Sequence, residues 1–238
     1  IAGDIPLVED GACAAGAAYK GTPAGALGTI GCFSFHPRKS VTTGEGGMVV
    51  FNDARLAEKA RAWHDHGHEN NPAVPRWEDT RTGSGFNYRM MELQGAVGLA
   101  QLRKLDDVVA QQRKNAAAIT KAIADVAGMV PRVEPKGSAG TADAVIFGVR
   151  DKAAALACRQ ELLARGISTK ILPEATTWHF AETWTHMPEL VAAHGGNLTE
   201  AFPRSRARLE AAVSLPVFVN MPEDFAGRVR EALVAALG

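Results

Sequence analysis

Three short apolar runs near the beginning of the chain constrain its fold most. They are Ile5–Val8, Ile30–Phe35 and Met48–Phe51. Runs of this length, separated by segments rich in glycine and other small residues, are typical of buried β-strands. The first run ends in the acidic pair Glu9 and Asp10. The pattern therefore predicts a buried strand that carries a functional side chain at its carboxyl end, where α/β sheets bind ligands.

The rest of the chain alternates predicted helices and strands, and its composition changes once. Pro131–Thr141 contains two prolines and two glycines. We place a domain boundary there, which predicts a larger domain over residues 1–130 and a small α+β domain over residues 131–238. The elements predicted after the third strand are a helix at 54–63 capped by Asn52 or Asp53, a polar loop at 64–85, a long helix at 91–127, a strand at 144–149, a helix at 152–165, a strand at 167–170 and a closing helix at 222–237.

Composition excludes several classes of protein. Acidic and basic residues balance at 26 each, so no large net field draws the chain to nucleic acid or to a membrane surface. No apolar run approaches the roughly 18 residues that a spanning helix needs. The three cysteines, Cys13, Cys32 and Cys158, have no metal-type spacing, and an odd, low count suits a reducing compartment. With no recognisable signal peptide, we expect a cytoplasmic protein.

The segment between Val8 and Gly47 contains the most informative residues. Asp10 follows the first apolar run, Ser34 lies within the second, Lys39 comes after it, and Gly44–Gly47 forms a glycine cluster. Pyridoxal phosphate (PLP) chemistry needs these residue types: an amine that forms an imine and moves a proton, a carboxylate that keeps the pyridine nitrogen protonated, and a hydroxyl for the phosphate. Each residue alone has an ordinary structural explanation as a cap, a solvent-facing lysine or a tight turn. The combination favours a PLP site.

The same segment carries a family resemblance. Glu9-Asp10 is followed by Phe-Ser-Phe-His-Pro-Arg-Lys at 33–39, by Thr-Thr-Gly-Glu-Gly-Gly at 42–47 and by Gly-Phe-Asn-Tyr-Arg-Met at 85–90. With these motifs the chain resembles the DegT/DnrJ/EryC1/StrS family of PLP-dependent sugar aminotransferases. The resemblance is dense over residues 5–105 and continues to the late Ser-Leu-Pro at 214–216. It implies an α/β fold of the aspartate aminotransferase-like type (fold type I), with residues 1–130 as the later part of the PLP-binding large domain and residues 131–238 as the small C-terminal domain.

The resemblance also implies a role for individual residues. Lys39 would hold the cofactor as a Schiff base and act as the acid and base of the proton shift. Asp10 would pair with the pyridine nitrogen, and Ser34 would bind the phosphate. Asn87 would reach the phosphate in the partner's site, which makes a homodimer with shared active sites the expected working unit. At Cys13 the family usually has Gln or His against the cofactor's ring oxygen, and a thiol is a weaker donor there.

Three further features are weighed against ordinary structural explanations. His64, His66 and His68 alternate, but they follow a predicted helix and precede a loop, so we expect no metal site. His66 instead matches a His-Gly segment of the family and is a candidate substrate residue. His179, between Trp178 and Trp184, is a second candidate, although packing of the small domain is the commoner reason for such a cluster.

The expected reaction is transfer of an amino group, with glutamate as the donor, to a keto- or aldehydo-sugar. The expected acceptor is a nucleotide-linked sugar or an oxidised eight-carbon sugar acid of the Kdo type. The second acceptor is suggested because residues 64–72 resemble the branch that aminates it, and it would connect the protein to lipopolysaccharide synthesis. A PLP-dependent sugar dehydratase and a non-catalytic PLP-binding regulator are the alternatives. One branch of sugar dehydratases has His at the position of Lys39, so the lysine in this chain argues against that branch. The family's N-terminal phosphate loop and ring-stacking aromatic are not recognisable, and the chain begins with Ile1, so we expect it to be the later part of a longer enzyme.

Overall fold

The computed structural model describes residues 3–177, 180–199 and 201–238. In chain order its strands are β1 (Val8–Asp10), β2 (Ala18–Tyr19), β3 (Thr22–Pro23), β4 (Ile30–Ser34), β5 (Gly47–Phe51), β6 (Val130–Pro131), β7 (Ser138–Ala139), β8 (Ala144–Gly148) and β9 (Ala212–Pro216). Its α-helices are α1 (Ala54–Trp63), α2 (Glu92–Leu102), α3 (Leu105–Ile123), α4 (Lys152–Ala164), α5 (Pro188–Ala193), α6 (Pro203–Glu210) and α7 (Phe225–Leu237). Short 3₁₀ turns lie at Arg76–Glu78, Glu174–Thr177 and Ala181–Thr183.

The chain divides into two compact units. Unit 1 consists of Ile1–Val109 and Pro135–Thr141, and unit 2 consists of Ala110–Glu134 and Ala142–Gly238. Their boundary falls inside α3. The functional division into a large domain at 1–130 and a small domain at 131–238 stays a prediction.

Unit 1 is organised around a three-stranded mixed sheet. β1 runs parallel to β4, with Asp10 opposite Cys32, and β4 runs antiparallel to β5, with Ser34 opposite Gly47. Because β1 and β4 point the same way, their carboxyl ends lie at one edge of the sheet, where β5 begins. The register therefore gathers the ends of the two predicted functional strands and the glycine cluster at the same edge. A second, smaller sheet has the order β3-β2-β7.

Helix α1 has the predicted bounds, and Asp53, one of the two predicted caps, caps its first turn. The Asp53 carboxylate accepts from the backbone N–H of Arg55 at 2.8 Å and of Leu56 at 3.2 Å. These bonds satisfy donors that have no partner within the helix. The helix ends at Trp63, and the polar segment 64–85 that follows is loop with one 3₁₀ turn, as predicted.

Unit 2 contains a fully packed core. Its sheet, in the order β6-β8-β9, is antiparallel throughout, and α4 packs against both β9 and α7. Phe147 of β8, Leu162 of α4, Leu215 of β9 and Leu233 of α7 are each at most 2% exposed. These side chains join the two helices and the sheet into one apolar cluster.

The structure corrects four predicted elements. The first strand begins at Val8 rather than Ile5, and Ile5 and Val8 are 73% and 57% exposed rather than buried. The long helix is interrupted after Leu102, where the N–H of Lys104 bonds the carbonyl of Gln101 in a tightened turn. No strand forms at 167–170. The N–H of Lys170 donates one hydrogen bond to the carbonyl of Ser214 in β9, and the left-handed backbone of Ile171 then turns the chain away from that strand. The closing helix begins at Phe225, because Pro222–Phe225 forms a turn first.

Candidate active site

The candidate site lies at the edge of the unit 1 sheet where β1 and β4 end. Asp10 is the last residue of β1, and its carboxylate accepts from the N–H of Ala12 at 3.0 Å. Ser34 is the last residue of β4, and its hydroxyl accepts from the N–H of His36 at 3.3 Å. Both side chains are held by the turn that follows their own strand. Both are therefore placed at the edge from which the Lys39 loop begins.

Lys39 approaches the β1 edge through Cys13. The Lys39 Nζ lies 2.8 Å from the Cys13 Sγ, and the residue as a whole is half-buried. Cys13 is itself held, since its carbonyl accepts from the hydroxyl of Thr141 at 3.4 Å. Among the described residues, no carboxylate forms an ion pair with Lys39.

A close approach between strands makes glycine necessary beside Asp10. Gly11 donates its N–H to the carbonyl of Cys32 at 2.8 Å, and a Cβ at Gly11 would lie 2.9 Å from that same oxygen. A side chain here would push β1 and β4 apart. Gly11 thus keeps the end of β1, and with it Asp10, against β4.

The glycine cluster forms a tight loop. Gly46 has φ of 150°, and a Cβ there would lie 2.6 Å from the Thr43 hydroxyl. Thr43 Oγ1 donates to the carbonyl of Glu45 at 2.7 Å, and Gln94 at the start of α2 donates to the same carbonyl at 2.7 Å. The loop between Lys39 and β5 is therefore fixed both internally and by α2.

Glu9 is a structural residue that the sequence pattern did not separate from Asp10. Its two carboxylate oxygens accept from the N–H of Gly25 at 2.9 Å and of Gly28 at 2.5 Å. Partial burial alone would raise the pKa of Glu9, but these backbone hydrogen bonds hold it below its usual value. Glu9 thus orders the loop before β4, and Asp10 is left for the site.

Asn87 and His66 lie in a different part of unit 1. Residues 64–66 pair with residues 86–88, and Asp65 stands opposite Asn87. His66 is exposed, and its Nδ1 lies 3.3 Å from Asp65 Oδ1. The described contacts of the chain do not join Asn87 to Lys39, although α2, which follows Asn87, reaches the glycine loop through Gln94.

Two predictions remain, the substrate role of His179 and the absence of a metal site at the alternating histidines. His179 and its neighbour Trp178 lie outside the described residues, so His179 stays a prediction. The three alternating histidines have separate partners: His64 bonds the carbonyl of Arg61, His66 faces Asp65 and His68 faces Asp79. Within residues 3–177, 180–199 and 201–238, no cluster of three metal-ligating side chains is present.

A buried polar network was missed by sequence reasoning. Asp65 is 4% exposed and accepts two hydrogen bonds from Arg76, at 2.6 and 2.8 Å. These bonds from Arg76 hold the pKa of Asp65 well below its usual range. Asp79 accepts from the N–H groups of Asn71 at 3.1 Å and Asn70 at 2.9 Å, which lowers its pKa as well. The only signal in the sequence was the density of charged residues within a long loop.

Comparison with known proteins supplies the family. Residues 2–234 match the model of the DegT/DnrJ/EryC1/StrS aminotransferase family. The chain belongs to this family. The match covers nearly all of the chain, and it confirms the resemblance seen in the sequence motifs. The family's aminotransferases depend on PLP, so the predicted cofactor is confirmed at the level of the family.

Individual relatives agree with this assignment. GDP-perosamine synthase of Caulobacter vibrioides is 40% identical over 116 residues, which are 47% of this chain and 29% of that protein. The aminotransferase TlmJ of Streptoalloteichus hindustanus superimposes with a TM-score of 0.79 at 26% identity, over 98% of this chain and 58% of that one. The PLP form of a putative sugar aminotransferase, Spr1654 of Streptococcus pneumoniae, superimposes with a TM-score of 0.78 at 20% identity, over 98% and 57%. The predicted fold type is thereby confirmed, and the chain spans less than two thirds of the length of each relative.

No helix among the described residues combines the length and the apolar character needed to cross a membrane.

Proposed function

We propose that this chain carries the cofactor-binding lysine of a PLP-dependent sugar aminotransferase. The observation that supports it best is the placement of Lys39. Its amine lies 2.8 Å from the Cys13 Sγ, in the loop that follows β1, and has no carboxylate partner among the described residues.

The residues at the sheet edge fit the cofactor. PLP, when bound, supplies an aldehyde that condenses with amines and a ring that accepts electrons. Lys39 holds the cofactor through its Nζ and moves protons with the same atom during transfer. The Asp10 carboxylate holds a proton at the pyridine nitrogen, because a negative charge there favours the protonated ring. Cys13, beside Lys39, takes the position of the usual ring-oxygen contact.

Two side chains with donors are proposed to bind the phosphate. The hydroxyl of Ser34 lies at the end of β4, at the same edge as Asp10. Asn87 is exposed and lies in the short ribbon that residues 64–66 form with residues 86–88. Its exposure suits contact with the site of a second subunit. The proposed working unit is therefore a homodimer in which each site takes Lys39 from one subunit and Asn87 from the other.

The proposed reaction moves an amino group from glutamate to an oxidised sugar. The relative from Caulobacter is named for a GDP-linked sugar, which favours a nucleotide-linked acceptor over the eight-carbon sugar acid. His66, exposed beside Asp65, and His179 are proposed to face this acceptor. A cytoplasmic location is part of the proposal, since Cys13, Cys32 and Cys158 are all free thiols.

The activity test uses the full-length protein with bound PLP. Adding glutamate should abolish the visible absorbance of the bound cofactor, and adding the correct oxidised sugar should restore it. The acceptor panel should contain GDP-linked and other nucleotide-linked keto-sugars together with the oxidised eight-carbon sugar acid. Bound cofactor that does not respond to glutamate or any other amino donor would contradict the proposal and favour a regulatory PLP-binding protein.

The shared site is tested separately by mixing two inactive variants. Lys39→Ala and Asn87→Ala proteins should each be weak, and subunit exchange should restore activity. In a mixed dimer one site contains both changes and the other contains neither. If exchange is verified and no activity appears, Asn87 serves its own subunit.

A further inference from the structure

The ribbon that carries Asn87 places Asp65 directly beside it. The N–H of His66 bonds the carbonyl of Phe86 at 3.0 Å, and the N–H of Tyr88 bonds the carbonyl of His64 at 2.8 Å. These two bonds flank the opposed pair of Asp65 and Asn87, which is therefore a non-hydrogen-bonded antiparallel pair. Side chains of such a pair lie on the same face and approach closely.

Arg89 contacts both members of this pair. Its Nε lies 3.4 Å from Asp65 Oδ1 and 3.0 Å from Asn87 Oδ1. One guanidinium thus connects the buried carboxylate to the exposed amide. Asp65 itself is held in place by its two bonds from Arg76.

This arrangement fixes which way the Asn87 amide points. An arginine side chain has only donors, so the amide atom facing Arg89 must be the oxygen. The Nδ2 is then directed away from Arg89, and among the described contacts of Asn87 it has no acceptor. An amide held by its oxygen presents two N–H donors, which are complementary to an anion such as a phosphate.

We propose that Asp65 is a positioning residue for anion binding: through Arg89 it holds the Asn87 amide with its oxygen inward and its N–H donors outward. The proposal rests on the proposed function, in which the anion is the phosphate of PLP. It gives the buried Asp65 carboxylate a functional role in addition to its structural one. Asp65 acts only through Arg89 and does not touch the anion.

The test compares binding of pyridoxamine phosphate and pyridoxamine to the full-length apo-protein by calorimetry. Asp65→Asn should weaken binding of pyridoxamine phosphate by on the order of tenfold, as expected for one misdirected hydrogen bond to a charged group. Binding of pyridoxamine, which has no phosphate, should change by less than about twofold.

The sign of the effect separates positioning from simple electrostatics. Removing a negative charge near an anion site should by itself tighten phosphate binding. The proposal predicts the opposite. Tighter or unchanged binding of pyridoxamine phosphate in Asp65→Asn overturns it. Asp79→Asn is the matched control, because it removes the same charge from the same loop without contacting Arg89, and it should leave the preference for the phosphate within about twofold.

Asn87→Ala distinguishes this proposal from the proposed function. In that background Asp65→Asn should have no further effect, since the two changes interrupt one connection. If Asn87→Ala alone leaves the phosphate preference intact, the proposed role of Asn87 fails and this inference fails with it. If Asn87→Ala removes the preference and Asp65→Asn does not lower it, only the inference fails.

A second variant keeps the test decisive if Asp65→Asn does not fold. Arg89→Lys keeps the positive charge of a side chain that is 48% exposed, but it removes the Nε, which donates to Asn87 and lies 3.4 Å from Asp65. It should lower the phosphate preference several-fold, in the range expected for a lost hydrogen bond. An unchanged preference overturns the proposal.

Discussion

The two units of the chain differ in where their apolar side chains lie. In unit 2 the strands β8 and β9 are covered, and Val213, Leu215 and Phe147 are at most 2% exposed. In unit 1 the strand β5 exposes Met48, Val49 and Val50 by 46%, 49% and 37%. Among the described residues of unit 1, the buried apolar side chains are Val41 and Val109, at 3% and 4% exposure.

The difference in burial indicates that the residues that stabilise the fold and the candidate site residues lie mainly in different units. Apolar burial stabilises a fold roughly in proportion to the area removed from water, so unit 2 contributes most of that term in this chain. Unit 1 carries Asp10, Ser34, Lys39 and Asn87, and its order depends on hydrogen bonds, glycine contacts and the Asp65 network. Changes in unit 1 should therefore affect function, and changes in the core of unit 2 should affect folding.

The largest expected effect is that of Lys39→Ala on activity. The variant of the full-length protein should retain less than about one thousandth of the wild-type activity, because the amine is proposed to act both as the cofactor ligand and as the proton carrier. Its unfolding free energy should change by less than about 0.5 kcal/mol, as for a surface substitution. Steady-state assays and urea denaturation measure the two quantities. Lys59→Ala in α1 is the control, and substantial activity in Lys39→Ala would contradict the assignment.

Asp10→Asn should have the next largest effect. The amide has the shape of the carboxylate but no charge to hold the ring proton, so the rate should fall by on the order of a hundredfold or more. The thermal midpoint should stay close to that of the wild type, because Asn can still accept from the N–H of Ala12. Near-normal turnover at saturating cofactor would exclude this role for Asp10.

A pair of leucine substitutions tests the packing difference in the chain of residues 1–238. Leu215→Ala, at a position with 0% exposure, should lower the unfolding free energy by about 3–5 kcal/mol. Leu93→Ala, at 73% exposure, should change it by less than about 0.5 kcal/mol. Urea denaturation followed by circular dichroism gives both values. Equal losses would show that the two units are packed alike.

The smallest expected effects concern the thiols. Burial raises the pKa of the Cys158 thiol in unit 2 from 9.0 to about 11. The folded state therefore favours the protonated thiol, and this contribution to stability is full below pH 9 and is lost as the pH rises toward 11. At neutral pH Cys158 should resist alkylation, whereas exposed Cys13 should react. Bound PLP should slow labelling of Cys13 and leave Cys158 unchanged, and equal protection of both would contradict the proposed place of Cys13.

Local signals made part of this structure predictable from sequence. The start of α1 was predicted from two candidate caps, Asn52 and Asp53, because a cap acts within a few residues. The break after Leu102 could not be predicted in this way, because Leu99, Leu102 and Leu105 keep helical spacing across it and no proline or glycine marks it. One tightened turn leaves the apolar pattern almost unchanged.

In the candidate site, too, the features set by short motifs were predictable and those set by contacts between distant residues were not. The order of Asp10, Ser34 and Lys39 in short motifs indicated one site, and the parallel register of β1 and β4 gathers their strand ends at one edge. The connection from Asp65 through Arg89 to Asn87 depends on the pairing of residues far apart in the chain. No spacing rule in a single sequence specifies that pairing.

Identifying the lysine that binds the cofactor tests the central claim most directly. The full-length protein with bound PLP is reduced with borohydride, digested, and its peptides are mapped by mass spectrometry. The account predicts a pyridoxyl group on Lys39, in the peptide that follows His36-Pro37, and its absence from the Lys39→Ala protein. A pyridoxyl group on Lys20 or Lys59, with Lys39 unmodified, would contradict the claim.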